Sequence, residues 1–317
     1  MKRLLILILT LFILMASVTF AKGDLPTAII PAQTQWLIHF DMSQFLSTKL
    51  SQFLMGLEEK DFAEAQQKML KELKLDPFKD LYSVTLFGSG ADEEEAVVCI
   101  QANFDRKFLV SRLQEEDDYR KSSYGRHTIH KWEHRQYGTF VNSKMALLSQ
   151  SESNLKKALD VMTGKGKNVK SASLFKQLKS LPNGAFLKAV TGDLARLTGH
   201  LKQASPLILQ NARVAIFMAL EKSEVLRLKL RLTTRDEDTA TNIYQMVNGL
   251  MAMARLHKHN DSDLDHVKQL LEGIKIIREK NVIELELSLP SDSIIRLIED
   301  RGHGKIHKRL KRKFRKK

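Results

Sequence analysis

The chain has 317 residues, of which 43% are apolar and 28% are charged, and its formal net charge is +14. This length allows one large domain or two ordinary ones, and the apolar share is enough for a sizeable core. Cys99 is the single cysteine in the sequence. An internal disulfide is therefore excluded, and the apolar residues around Cys99 indicate a buried thiol and not a catalytic one.

The positive charge is concentrated at the C-terminus. Residues 301–317 hold ten Lys or Arg and no acidic residue. The first 21 residues hold two more, which leaves residues 22–300 with a formal charge of +2. The body of the protein is therefore nearly neutral, and its basic pI of about 9.7 comes from an appendage.

Residues 1–21 have the pattern of a secretory signal peptide. A basic start, Met1–Arg3, precedes the apolar run Leu4–Val18. Thr19 and Ala21 then place small residues at the minus-three and minus-one positions before Lys22. The pattern predicts cleavage near Ala21 and an exported mature protein, either periplasmic or extracellular.

The alternative for the N-terminus is an uncleaved membrane anchor. The apolar stretch Leu4–Phe20 is at the short edge for this, because crossing a bilayer takes about 20 residues. No cysteine follows the run, so a lipid anchor at that site is not predicted. No later stretch is apolar enough to span a membrane.

The first half of the body alternates strands with capped helices. Predicted strands cover Trp36–Phe40, Leu81–Phe87, Ala96–Phe104, His127–Trp132, Gly138–Val141 and Lys144–Ser149. The predicted helix caps are Asp41, Asp61, Asp105 and Ser151. The last two open helices over 106–114 and 152–162, and Gly164 ends the second of these.

The second half repeats much of this order. Its predicted strands are Ala185–Val190, Arg213–Leu220, Val225–Thr233, Ile274–Ile277 and Val282–Leu289. Its predicted caps are Asp193, Asp236 and Ser291, and Leu250–Leu271 are extra helical residues. We therefore predict two divergent copies of one α+β unit, at 22–165 and 170–300. Each copy is predicted to have a mostly antiparallel sheet covered by helices on one face.

Two strands of the second copy allow a physical test of this arrangement. Leucines alternate with basic residues in the strand that contains Lys229 and Arg231. Apolar residues alternate with Glu284 and Glu286 in the last strand. One apolar face and one charged face are typical of a sheet that is solvated on one side. The opposite charges predict that these strands are neighbours.

Histidines and acidic residues are the candidate metal ligands. His127 and His130 have an odd spacing in a strand and therefore point to opposite faces, which argues against a zinc site with His134. The acidic runs 92–95 and 115–118 lack the spaced ligands and central glycine of a calcium loop. We predict no metal and no cofactor.

Motifs of nucleophilic catalysis are incomplete. Ser153 and Ser173 each begin a Ser-x-x-Lys pattern, but the companion boxes of penicillin-binding enzymes are absent. The segment 164–167 lacks the upstream glycine and the following hydroxyl of a phosphate-binding loop. The sequence leans towards a protein that is not an enzyme.

The tail is the remaining candidate site. Its like charges repel, which predicts disorder by itself, and Ile306, Leu310 and Phe314 are spaced as a thin apolar stripe on a helix. An anionic membrane surface or a polyanion would attract it, and a solubilising tail or a protein contact are the alternatives. The predicted contact residues are Lys305, Lys308, Arg309, Lys311, Arg312, Lys313, Arg315, Lys316 and Lys317.

The body resembles a loosely defined set of uncharacterised exported bacterial α+β proteins. The resemblance rests on the signal peptide, on the opening Pro31–Asp41 and on Leu155–Gly164 after a strand. It covers most of residues 30–300, contains no specific motif and implies no activity.

The leading hypothesis is a non-enzymatic exported binding protein of the bacterial envelope. A second is an envelope hydrolase whose site gathers scattered residues around His127, His130 and the acidic loops. A third is a carrier that holds an apolar ligand between sheet and helices. Ligand, protein partner and oligomeric state are not predicted.

Overall fold

A computed structural model describes residues 23–56, 60–90, 93–179, 181–192, 194, 211–256 and 273–299. The strands are β1 Trp36–Asp41, β2 Leu81–Gly88, β3 Val97–Ala102, β4 Arg120–Tyr124, β5 His127–Trp132, β6 Gln136–Asn142, β7 Met145–Ser149, β8 Leu187–Thr191, β9 Ala212–Lys222, β10 Val225–Thr234, β11 Ile274–Glu279 and β12 Val282–Pro290. The α-helices are α1 Met42–Leu46, α2 Lys49–Gly56, α3 Lys60–Leu73, α4 Arg106–Gln114, α5 Glu152–Met162, α6 Ser173–Lys179, α7 Glu237–Leu256 and α8 at 291–299. The predicted signal peptide, the Asp193 cap, helical residues 257–271 and the tail lie outside the described ranges.

The twelve strands form one antiparallel sheet in the order β11-β12-β10-β9-β8-β1-β2-β3-β7-β6-β5-β4. β1 and β8 lie at the junction of the two predicted copies and pair directly, with Trp36 opposite Thr191 and Phe40 opposite Leu187. The predicted α+β class with a mostly antiparallel sheet is confirmed.

Strand order is the same on both sides of this junction. Outward from β1 the sheet runs β2, β3, β7 and β6, and outward from β8 it runs β9, β10, β12 and β11. The first side is longer by β5 and β4 at its outer end. The two-copy unit itself stays a prediction.

Local capping chemistry sets several helix boundaries. The Asp105 side chain accepts a hydrogen bond from the Phe108 N–H at 3.0 Å, and the Ser151 hydroxyl accepts one from the Asn154 N–H at 3.3 Å. These bonds satisfy N–H groups that lack a partner within the helix. Gly164, with φ of +79°, follows α5 in the left-handed conformation that glycine adopts without strain.

The core lies on both faces of the sheet. Side chains alternate between faces along a strand. We call the face that carries Phe40, Val84 and Ile100 face A, and the face that carries Leu37 and Val97 face B. Each face has its own apolar cluster.

Helices cover both faces, so the prediction of helices on one face is wrong. Face A packs against α1, α2 and α3, and at its other end against α7 and α8. Face B packs against α5 and α6 and a short 3-10 helix, Thr27–Ile29. The reason is visible in β3, where Val97 to Ile100 is apolar at every position, because such a strand needs apolar cover on both sides.

The outer strands of the second half keep a charged face. β10 and β12 are neighbours, as the sequence predicted, and their register places Lys229 opposite Glu286 and Arg231 opposite Glu284. Their alternate apolar residues lie on face A, where Ile283 packs against α7. Face B of these strands therefore carries the charges.

Candidate functional site

The predicted site residues of the tail, Lys305 to Lys317, lie outside the described residues. In the described part of the chain the candidate groups are the histidines, the acidic loops, the cysteine and the concave or apolar surfaces.

His130 and His127 are separate structural residues. The Tyr119 hydroxyl lies 2.9 Å from His130 Nδ1, and the His130 ring packs edge-on to Phe140 on face A. Because side chains alternate along β5, His127 lies on the same face as Ile129, which belongs to the face B cluster. Burial, and then nearby Arg charges, lower the pKa of both imidazoles, which favours their neutral form.

The acidic loops stabilise turns. Asp118 accepts hydrogen bonds from the N–H groups of Glu133 and His134, the two residues of positive φ in the β5–β6 turn. Glu94 forms an ion pair with Arg135 at 3.1 Å. Among the described residues, no group of three or more His, Cys, Asp or Glu is arranged to hold a metal ion.

Cys99 is fully buried on face B of β3, and burial raises the pKa of its thiol far above the ordinary value. A thiol in this state is protonated and shielded from solvent, so it acts as a small apolar side chain. The expected structural role of Cys99 matches this environment.

A polar groove is the candidate binding site with the clearest geometry. It has a volume of about 670 Å³, opens to solvent, and lies where α6 meets the charged face of β10 to β12. Its lining residues are Gln177, Arg231, Thr233, Ile277, Glu279, Lys280, Asn281, Val282 and Glu284. Sequence reasoning identified the charged floor of this groove but missed α6, which is too short to show helical periodicity.

Paired charges form the floor of the groove, on face B of β10 and β12. Lys229 contacts both Glu284 and Glu286, the latter at 2.9 Å, and Arg231 contacts Glu284 at 2.8 Å. Burial raises the pKa of Glu284, but the hydrogen bonds that Lys229 and Arg231 donate outweigh it, so the net pKa lies below the ordinary value. The groove therefore offers hydrogen-bonding groups and little net charge.

A stripe of exposed apolar residues runs along α7. Met246, Leu250 and Met253 are spaced by four and three residues and are 39%, 54% and 57% exposed. The adjoining side of the helix is buried through Ala240 and Ile243 against β12. Residues at this spacing share one side of a helix, so the three form a continuous apolar surface, here called the α7 stripe.

None of the helices in the described ranges combines the length and apolar character that a bilayer crossing requires. No family model and no curated protein matches the chain. Three solved structures of TP0453 are similar to it. Crystal form III has a TM-score of 0.49 at 8% identity over 88% of this chain and 100% of that one. Crystal form I has a TM-score of 0.47 at 10% identity over 87% of this chain and 97% of that one. Crystal form IV has a TM-score of 0.49 at 9% identity over 86% of this chain and 96% of that one.

Proposed function

We propose that the protein is an exported, non-enzymatic binding protein of the cell envelope, whose basic tail contacts an anionic membrane surface. The observation that carries the proposal is the separation of charge. Ten cations stand in residues 301–317, beside a body with a formal charge of +2. Each cation near an anionic surface contributes about 1 kcal/mol of attraction, so ten together provide reversible binding without any pocket.

The α7 stripe supports the same proposal from the described part of the chain. Exposed methionine and leucine side chains have flexible, adaptable shapes that pack against irregular apolar surfaces. An apolar helix surface combined with cations elsewhere in the chain is typical of proteins that lie on a membrane without crossing it. We infer that the α7 stripe supplies apolar contact while the tail supplies charge.

The envelope hydrolase is less well supported. His127 and His130 lie on opposite faces, and Asp118 is engaged by two backbone N–H groups of a turn. The groove is lined by neither histidine. The carrier hypothesis asks for an apolar cavity, and the groove is lined mainly by charged and polar residues.

We also propose that the body contains two copies of one unit, at 22–165 and 170–300. The equal strand order outward from β1 and from β8 supports this. α4 and α7 take equivalent places after β3 and β10, whereas α5 packs on face B and α8 on face A, so the proposed equivalence covers the strands and not these two helices. Superposition of β1, β2, β3, β7 and β6 on β8, β9, β10, β12 and β11 in an experimental structure tests it, and strands that do not superpose would contradict it.

The tail is tested by sedimentation with vesicles of phosphatidylcholine, with and without phosphatidylglycerol. We expect the mature chain to bind the anionic vesicles and to be released by salt, since exposed charges are screened. Deletion of 301–317 is expected to abolish most of this binding. A matched control replaces the nine tail contact residues by Gln at constant length. Equal binding by the deletion variant would refute the tail proposal.

The α7 stripe is tested separately in the full chain. The triple substitution of Met246, Leu250 and Met253 by Ser is expected to weaken vesicle binding at high salt, where the charge contribution is screened. Gln245→Ser, at an exposed polar position on the same helix, is the control. Intact-mass analysis of the exported protein tests cleavage after Ala21.

A further inference from the structure

β11 is the edge of the sheet at the end of the second half. It forms a hairpin with β12, and Glu279 and Val282 close a two-residue turn. The Ser288 N–H donates a hydrogen bond to the Gly273 carbonyl at 3.2 Å, which fixes the pattern of the ladder. Because hydrogen-bonded and non-hydrogen-bonded pairs alternate in an antiparallel ladder, the backbone groups of Ile274, Ile276 and Arg278 point away from β12.

The side chains on this edge are exposed although they are not all polar. Lys275, Ile277, Arg278 and Glu279 are exposed, and Ile277 is 39% accessible. Ile276 points to the other face and packs against α7, so the strand is held firmly in the sheet. Among the described residues no strand pairs with the outer side of β11, and a firmly held edge whose N–H and C=O groups point outwards is a template for another strand.

Charge complementarity identifies that strand. When two copies of one strand pair antiparallel about a two-fold axis, the outward-pointing backbone groups of one copy must face those of the other. The axis then passes through a residue, and the candidates at the middle of β11 are Ile276, Ile277 and Arg278. A centre on Arg278 sets two arginines against each other, and a centre on Ile276 sets Lys275 against an isoleucine. A centre on Ile277 places Lys275 opposite Glu279 twice, with the two Ile277 side chains in contact between them.

The opposite edge of the sheet, β4, lacks this self-complementarity. β4 is Arg-Lys-Ser-Ser-Tyr, and Arg120 also lies opposite Lys131 on β5. If β4 paired with β4 of a second copy, Arg120 and Lys121 of both strands would lie at the interface. These four cations would have no acidic residue of β4 to pair with. Basic side chains are a common means by which edge strands resist pairing.

We propose that the protein forms a homodimer in which β11 pairs antiparallel with β11 of a second copy, centred on Ile277. The pair extends one sheet across two chains. Its seam consists of the Ile276–Arg278 backbone ladder, the Ile277 contact and two Lys275–Glu279 ion pairs. This dimer is independent of the tail and of membrane binding.

Sedimentation velocity of the mature chain over a range of concentrations tests the dimer. Lys275→Glu places like charges opposite each other at two points and is expected to weaken the dimer by about tenfold or more. Exchange of both charges, by Lys275→Glu together with Glu279→Lys, is expected to restore it. Thermal unfolding of each variant verifies that the fold itself is retained.

A single-cysteine test fixes the register. Ile277→Cys is expected to give a disulfide-linked dimer on mild oxidation, since the two Cα atoms of such a pair are about 4.5 Å apart. Ser122→Cys on β4 is the matched control and is expected to give no disulfide-linked dimer. Cys99 is buried and leaves the new thiol as the one that reacts.

Three results would overturn the proposal. One is a monomer at every concentration tested. Another is a dimer that fails to cross-link through position 277 or is not restored by the charge exchange. The third is a dimer insensitive to Lys275→Glu but dispersed by Leu250→Ser, which would place the interface on the α7 stripe.

Discussion

The centre of the sheet and its second-half end are built from the same kind of strand pairing but are covered differently. β1, β2 and β3 are packed on both faces, and fully buried Leu37 faces α5 and α6. In the described ranges β10 and β12 pack against α7 and α8 on face A, and on face B they carry paired charges. Consecutive apolar residues require two layers of helices, whereas alternating ones require a single layer.

This difference predicts where stability resides. A two-sided core leaves every side chain of the central strands buried or half-buried. The outer strands gain from one apolar face and from ion pairs that water still reaches. Substitutions should therefore lower the free energy of unfolding most at the centre of the sheet, less at the charged face and least on the α7 stripe.

The largest expected effect is at Leu37. Leu37→Ala leaves a cavity in the face B cluster, and we expect a loss of about 2–5 kcal/mol in the free energy of unfolding. Leu230→Ala, at a partly buried position of β10, is the matched substitution and should cost about 1 kcal/mol. Urea unfolding of both variants gives the comparison. Equal losses would contradict a difference between the two regions.

His39 makes the central region sensitive to acid. Its Nδ1 lies 2.9 Å from the Thr85 hydroxyl, and burial, followed by the charge of Lys188, lowers its pKa from 6.5 to about 4. The unfolded chain therefore takes up a proton before the folded one does. Stability that is present above pH 6.5 is lost as pH falls towards 4, by about 3 kcal/mol from this group.

His39→Gln removes this titration and is the test. The variant is expected to be less stable than the parent at pH 7, because a buried hydrogen-bonded ring is lost. The gap should narrow by about 3 kcal/mol between pH 7 and pH 4, as measured by denaturant unfolding at each pH. Parallel stability curves over this range would show that folding leaves the pKa of His39 unchanged.

The sequence predicted the structure best where one local rule decided it. The pairing of β10 with β12 followed from alternating charges, and α4 and α5 begin directly after the predicted caps Asp105 and Ser151. It failed for β4, whose residues are almost all exposed and show no apolar alternation. Pairing with β5 across a tight turn holds this strand, and that contact is not visible in its own composition.

Helix cover on both faces of the sheet was also not predicted from the sequence, for a related reason. The leucines of β10 and β12 indicate a one-sided sheet, and that pattern holds only for the outer strands. The Val97–Ile100 run carried the contrary signal. The groove depends on α6 meeting a distant hairpin, which no local pattern encodes, and the proposed tail site stays a prediction.

A smaller effect is expected at the charged face. Glu284 has a side chain 16% exposed and accepts from both Lys229 and Arg231. Glu284→Gln leaves two partly buried cations with weaker partners and should cost about 1–2 kcal/mol. Glu286→Gln, 38% exposed, is the control and should cost under about 0.5 kcal/mol. The reverse order in chemical unfolding would show that the pairs contribute through Glu286.

The smallest effect on stability is expected on the α7 stripe. Leu250 is 54% exposed, so Leu250→Ala removes side-chain atoms that water already contacts and should change the free energy of unfolding by less than about 0.5 kcal/mol. The measurement is urea unfolding of dilute protein, with Gln245→Ala as the control. A loss above about 1 kcal/mol would mean that Leu250 is covered in solution. Dependence of that loss on protein concentration would then identify a second copy as the cover, whereas independence would identify another part of the same chain.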